Sequence, residues 1–198
     1  MFIKTLYILQ EGKASSIMDE ISIENIVVTT QLADSFNLKK LDELIPDAKY
    51  DTEEFPGLVI HFDKPKTAVL IFSSGKIIIT GCKNIDSVDK SMKNLINKLK
   101  SVGVSIYEKP DVKMQNIVAS SDLKKELDLS SIAKRLIITN VEYEPEHFPG
   151  LVYRMDDFDA IILLFNSGKM VCTGANQIDK ASNAIETMKY NLSSLGVL

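Results

Sequence analysis

The sequence predicts an α+β protein built from two tandem β-α-β-β-β-β-α repeats, each an antiparallel sheet with helices on one face. Three observations carry this expectation. The chain repeats itself at a nearly constant offset, each copy holds short apolar runs separated by turn residues, and each copy ends in a long amphipathic segment.

The duplication is visible in five blocks. Asn25-Ile26-Val27 returns as Asn116-Ile117-Val118, and Phe55-Pro56-Gly57-Leu58-Val59 as Phe148-Pro149-Gly150-Leu151-Val152. Ser74-Gly75-Lys76 returns as Ser167-Gly168-Lys169, Thr80-Gly81 as Thr173-Gly174, and Gly103-Val104 as Gly196-Val197. The first pair is offset by 91 positions and the others by 93, so the second copy carries two extra residues between its first and second blocks. Chance matches do not hold one offset across so many blocks. The period is too long, and the copies too few, for a solenoid. A duplicated half-domain with internal pseudo-two-fold symmetry remains, with a first repeat at 19–104, a connecting segment containing Pro110 at 105–111, and a second repeat at 112–198. Residues 1–18 read as a loose tail, with a short strand or helix around Phe2–Leu9. Lys4, Thr5, Gln10, Glu11 and Lys13 break its apolar letters, which is not the pattern of a secretory leader.

Each copy opens on an apolar run, Ile23–Thr30 and then Val112–Ser120. A short amphipathic helix follows, with Leu38, Leu41 and Leu44 close to one stripe in copy one and Leu129, Ile132, Ala133 and Leu136 in copy two. Asn37, and Asp128 or Ser130, are candidate caps, and Pro46 after Ile45 stops the first of these helices. Four short strands come next. Phe-Pro-Gly marks one turn and Ser-Gly-Lys another, the glycine being free to take positive φ. A longer helix closes each copy: Asp86–Lys100 with Val88, Met92, Leu95, Ile96 and Leu99 on one face, and Asp179–Leu195 with Ala181, Ala184, Ile185, Met188 and Leu192.

Strands joined by short turns pair antiparallel, and two helices per copy can cover only one sheet face. Alternation then sorts the strand residues. Val69, Ile71, Ile77, Ile79, Ile26 and Val28 fall on one wholly apolar face, which packs beneath the helices. Leu70, Phe72, Lys76, Ile78, Thr80, Asn25, Val27 and Thr29 fall on the other, and copy two repeats the set. Open to solvent, that second face is a large apolar surface of the kind that marks an interaction site. Pattern alone leaves an equal alternative, in which another element or a second subunit covers it.

Composition excludes several classes. The 198 residues are 45% hydrophobic and 25% charged, ordinary for a globular chain, and no apolar run reaches the roughly 20 residues that span a bilayer. The only cysteines, Cys82 and Cys172, read as reduced, partly buried thiols. His61 and His147 lie far apart, so no metal site is expected. No nucleophile–base pair or phosphate loop is present, and neither an enzyme activity nor a cofactor is expected. The net charge of −4, taken alone, points away from nucleic acid.

More specific blocks override the charge. They are Glu24-Asn25-Ile26-Val27, Glu54-Phe55-Pro56-Gly57-Leu58, Leu70-Ile71-Phe72-Ser73-Ser74-Gly75-Lys76 and Thr80-Gly81 in copy one. In copy two they are Gln115-Asn116-Ile117-Val118, Tyr143–Arg154, Leu163–Lys169 and Thr173-Gly174. Through them the chain, from about Ile21 to Leu198, resembles the TATA-box-binding protein family, in a somewhat divergent form. The acidic total and a Phe-Pro-Gly in both copies suit the archaeal type. The resemblance implies a saddle: a curved antiparallel sheet with helices on the convex face and the concave face open to the minor groove. This family is itself a standard example of kinking DNA with inserted apolar wedges.

What the resemblance implies can be placed residue by residue. Phe55, Phe72, Phe148 and Phe165 match the intercalating phenylalanines. Asn25 and Asn116 match the central amides that donate to A N3 or T O2, and Thr80 and Thr173 add hydroxyls. Val27, Val118, Leu70, Leu163, Ile78 and Val171 match the apolar floor, and Lys66, Lys76, Arg154 and Lys169 the phosphate contacts. Glu144, Glu146 and His147 stand where the family binds transcription factor B, and glutamates suit a basic partner. The chain also departs from the pattern. His61 replaces a usual basic residue, His147 a common leucine, and Asp157-Phe158-Asp159 a Lys-Pro-Lys-type turn. Aspartates near phosphate repel it, so weaker, more salt-sensitive binding is expected.

The function these residues imply is that of a general transcription initiation factor. It binds and bends A·T-rich promoter DNA through the minor groove, recruits transcription factor B and thereby engages RNA polymerase indirectly, in the cytoplasm at the nucleoid. An open apolar face also allows a homodimer when DNA is absent. A rival keeps the fold but makes the chain a divergent paralogue, a regulatory protein-interaction module with weak DNA binding. An enzyme appendage has no room for its catalytic domain.

Overall fold

The structure, a computed structural model, describes residues 21–136 and 140–198. The expectations for the tail at 1–18 and for Phe2–Leu9 lie outside the described residues. Two compact units contain most of the chain, Asn25–Gln115 and Asn116–Leu198.

The first unit runs β1 (Ile21–Gln31), α1 (Leu38–Leu44), β2 (Ala48–Lys49), β3 (Leu58–Asp63), β4 (Lys66–Ile71), β5 (Lys76–Cys82) and α2 (Ile85–Ser101). Its strands pair antiparallel in the order β2-β3-β4-β5-β1, with an irregularity in β1 between Ile26 and Val28. The second unit runs β6 (Val112–Asp122), α3 (Leu129–Arg135), β7 (Val141–Glu142), β8 (Gly150–Met155), a 3-10 turn at Asp156–Phe158, β9 (Ala160–Phe165), β10 (Lys169–Thr173) and α4 (Ile178–Ser194). Its order is β6-β10-β9-β8-β7, again antiparallel. Both units therefore follow the β-α-β-β-β-β-α order read from the sequence.

Local chemistry sets the element ends. Asn37 accepts from the Lys40 N–H and starts α1, and Asp128 accepts from the Ser131 N–H and starts α3, so Asp128 rather than Ser130 is the cap. The Ser-Gly-Lys turns place Gly75 at φ 82° and Gly168 at φ 84°, the left-handed region that only glycine enters cheaply. One residue departs from its expected stripe. Leu44 is 42% exposed, and Ile45, at the end of α1, takes the buried place instead. Once the helix stops ahead of Pro46, the extended backbone of Ile45 turns its side chain inward where a further helical turn would not.

Alternation along the strands sorts the faces as expected. In the first unit Ile26, Val28, Leu58, Ile60, Val69, Ile71, Ile77 and Ile79 are fully buried, as are Val88, Leu95 and Leu99 of α2. Each such aliphatic contributes roughly 1.5–3 kcal/mol by leaving water. In the second unit Ile117, Leu151, Ile162, Leu164 and Met170 are buried with Ala181, Ala184, Ile185, Met188 and Leu192 of α4. The Thr67 and Ser91 hydroxyls, both buried, meet at 2.8 Å between β4 and α2 and so satisfy each other. No helix among the described residues is long and apolar enough to cross a membrane.

Candidate nucleic-acid interface

The opposite face of each sheet is where the singled-out residues converge. In the first unit Val27, Leu70 and Ile78 are half-buried and lie on the face away from the packed core. Leu70 sits across from Val59 on one side and Ile78 on the other, so the three strands give a continuous apolar floor. In the second unit Val118, Leu163 and Val171 are likewise half-buried, Leu163 lying between Val152 and Val171. The alternative that another element of the same unit plugs this face is not what either unit shows.

At one border of each floor stands an amide held in a fixed orientation. The Gly81 N–H donates to Asn25 Oδ1 at 2.7 Å, and Asn25 Nδ2 donates to Thr80 Oγ1 at 3.1 Å. The second unit repeats this: the Gly174 N–H donates to Asn116 Oδ1 at 2.7 Å, and Asn116 Nδ2 donates to Thr173 Oγ1 at 3.3 Å. A backbone N–H can only donate, so it must face the carbonyl end of the amide. The NH2 end then points the other way, with one proton on the threonine and one to spare. Each unit thus presents one oriented donor beside an apolar floor, suited to an acceptor on a flat ligand edge.

The phenylalanines form two like pairs. Phe55 and Phe72 meet edge to face at 5.7 Å between ring centres with 64° between planes, and Phe148 and Phe165 at 5.9 Å and 63°. Phe148 is 37% exposed, far more than a core ring would be. The Phe-Pro-Gly glycine makes the geometry possible, because a Cβ on Gly150 would stand 2.7 Å from Phe148 Cε1 and 3.1 Å from Phe165 Cε1.

Charge is uneven around the two floors. Lys66, Lys76 and Lys169 are exposed and share the strand face of the floor residues. Arg154 does too, opposite Ile161, but its Nε lies 3.6 Å from Glu142, which partly offsets its charge. His61, exposed and opposite Ala68, occupies the place that Arg154 takes 93 positions later. Asp159, the counterpart of Lys66 at the same offset, ion-pairs with Lys180 of α4. The repulsion expected from Asp157-Phe158-Asp159 is therefore halved, leaving Asp157 as the exposed aspartate of that turn without an ion pair. Phe158 is half-buried there. Burial first, and Asp157 second, raise the pKa of the nearby Tyr153.

The loop before β8 carries Glu144, Glu146 and His147, all exposed, with His147 Nδ1 3.4 Å from Glu144 Oε2. Two features of the site were not anticipated from sequence: the Gly81 and Gly174 N–H groups that orient the amides, and Lys180. The first had a signal, since Thr-Gly recurs at the same offset, but nothing in spacing linked it to an asparagine 55 positions earlier.

A family model described as Transcription factor TFIID (or TATA-binding protein, TBP) matches residues 20–102 and again 111–195. The chain is 46% identical over 181 residues to the TATA-box-binding protein of Picrophilus torridus, a match covering 91% of this chain and 98% of that one. It is 44% identical to the TATA-box-binding protein of Archaeoglobus fulgidus, over 90% and 98% of the two chains. Among solved structures, Methanococcus jannaschii TBP matches with a TM-score of 0.79 at 41% identity, covering 88% of this chain and 99% of that one.

Proposed function

The chain belongs to the transcription factor TFIID or TATA-binding protein family, and we propose that it acts as a general transcription initiation factor that binds A·T-rich promoter DNA in the minor groove and bends it. The observation that carries this reading is the pair of oriented amides, Asn25 and Asn116, each beside an apolar floor. The minor groove of A·T and T·A pairs offers only the acceptors A N3 and T O2, and a guanine amino group adds a donor that such a floor desolvates. One free N–H per unit on a greasy surface fits the first and rejects the second.

Phe55, Phe72, Phe148 and Phe165 act as the wedges, their flat apolar rings replacing the stacking they disrupt. Lys66, Lys76, Arg154 and Lys169 hold phosphates, and Thr80 and Thr173 support the amides. A bent duplex lays more of its groove against the floors, and that added burial offsets the deformation energy, so no catalytic group is needed. Glu144, Glu146 and His147 form an acidic loop for the basic surface of transcription factor B, through which polymerase is engaged. Self-association through the open faces in the absence of DNA is the corresponding free state.

Gel shift and fluorescence energy transfer on end-labelled duplexes test the reading. An A·T-rich site should bind and shorten end to end, and transcription factor B should retard the complex further. Equal affinity for a G·C-substituted site would refute it. The acidic net charge keeps the regulatory-module reading in play, and binding of a protein partner without any measurable DNA complex would favour it.

A further inference from the structure

We infer that His61 is a proton-dependent phosphate contact that makes DNA binding by the first unit stronger as pH falls through neutrality. The inference rests on the DNA-binding reading above and adds to it a residue, a sign and a pH range.

The internal repeat supplies the first argument. Position 61 and position 154 are equivalent by the 93-residue offset, and the chain places an imidazole at one and a guanidinium at the other. Both sit at the same register: His61 opposite Ala68 on the β3–β4 ladder, Arg154 opposite Ile161 on the β8–β9 ladder. Both are exposed on the floor side of their sheets. A guanidinium is charged at every pH a cell meets, whereas imidazole is the side chain that changes charge near neutrality.

The second argument is what surrounds it. His61 lines an open hollow of about 450 Å³ with Asn25, Asp63, Lys66 and Thr80, so it shares its space with the oriented amide and a phosphate-binding lysine. Asp63 lies two residues on along the same strand face and pairs in register with Lys66, one carboxylate against one ammonium. Toward the sheet edge, Asp47 precedes β2 and is held by Lys98 of α2 at 2.7 Å. Lys49, on β2 itself, is held by Glu54 at 2.6 Å. The charges flanking His61 are thus largely matched. Its own proton decides whether this rim of the hollow carries extra positive charge. A protonated imidazole there donates to a phosphate oxygen as Arg154 does, and a neutral one adds no charge.

The experiment is fluorescence anisotropy of the full chain on an A·T-rich duplex from pH 5.5 to 8.0 at constant ionic strength. Four proteins are compared: wild type, His61→Gln, His61→Arg and His147→Gln. Wild type should bind about fivefold tighter at pH 5.5 than at 8.0, the scale of one charge-assisted contact. The slope of log affinity against log salt should steepen by about 0.9 over the same range, one more phosphate neutralised. His61→Gln should be flat in pH at the weaker limit and His61→Arg flat at the tighter one, while His147→Gln keeps the wild-type response. A wild-type pH response in His61→Gln, or His61→Arg no tighter than wild type at pH 8.0, overturns the inference. Tight but pH-independent binding by wild type overturns it alone and leaves the DNA-binding reading standing. No duplex binding at any pH overturns both.

Discussion

The ring of Phe55 lies so close over Gly57 that a Cβ on that glycine would stand 2.6 Å from Phe55 Cε1. Gly57 is not there for a left-handed turn; its lack of a side chain lets the ring lie flat against the backbone and lean on Phe72. Gly57→Ala and Gly150→Ala should therefore rotate Phe55 and Phe148 out of position at little cost to the fold, roughly 1 kcal/mol or less, since a ring can swing away. Energy transfer across a bent duplex should fall in both variants while the thermal midpoint moves by only a few degrees. Normal bending by both would detach the rings from the deformation.

The Ser-Gly-Lys glycines fail differently. A Cβ at Gly75 would stand 1.8 Å from the Ala33 carbonyl oxygen, and one at Gly168 2.3 Å from that of Lys125, backbone atoms that cannot swing away. Gly103 shares the positive φ but has nothing within 4 Å of an added Cβ. Gly75→Ala should cost well over ~2 kcal/mol, and Gly103→Ala about 1, the strain of the left-handed conformation alone. Urea titration of the two variants measures the difference, and equal losses would contradict the steric argument.

How much of this was legible in sequence depended on range. Burial follows from alternation along a strand, so the core set and the floor set were both readable from residues two apart, as Ile77, Ile79 and Ile78 show. Local caps such as Asn37 were readable for the same reason. What required the fold was any relation across the sheet. Asn25 and Gly81 are 56 residues apart and meet because β1 pairs with β5, and the bond reveals which end of the amide is presented. Asp159 read as a repulsive charge because its partner, Lys180, is 21 residues away on a helix. Leu44 was misplaced because helical periodicity ran on past the point where the chain becomes extended.

Asn25→Asp and Asn116→Asp separate the two jobs of the amide. A carboxylate still accepts the Gly81 or Gly174 N–H, so the fold should hold, but it offers no donor and sets a negative charge against the groove. Affinity for an A·T-rich duplex should drop at least about tenfold, on the scale of a lost specific base contact with added repulsion. Unchanged affinity, with circular dichroism intact, would remove the amides from the interface.

Lys180 should influence DNA binding from α4 without touching DNA, by holding the Asp159 carboxylate. Lys180→Gln should weaken binding, and most at low salt, where the repulsion between a released aspartate and phosphate is least screened. Asp159→Asn should restore affinity in the Lys180→Gln background. The double-mutant cycle reads the coupling directly, and additive effects would mean that the pair does not matter to DNA.

Cys82 and Cys172 are both fully buried, and burial pushes each thiol from the ordinary 9.0 up to about 11. For Cys82 a hydrogen bond with Ser91 opposes that rise without cancelling it. Folding therefore favours the protonated form. Below pH 9 both states hold the proton and the contribution is complete; between pH 9 and 11 the unfolded chain releases it first, and stability falls as pH rises. Neither thiol should react with iodoacetamide in the native protein at about pH 8, and both should react in denaturant. Replacing both with alanine should flatten the loss of stability between pH 9 and 11, beyond a uniform offset from the lost packing. A double variant that declines with pH as steeply as wild type would assign the alkaline decline to other groups.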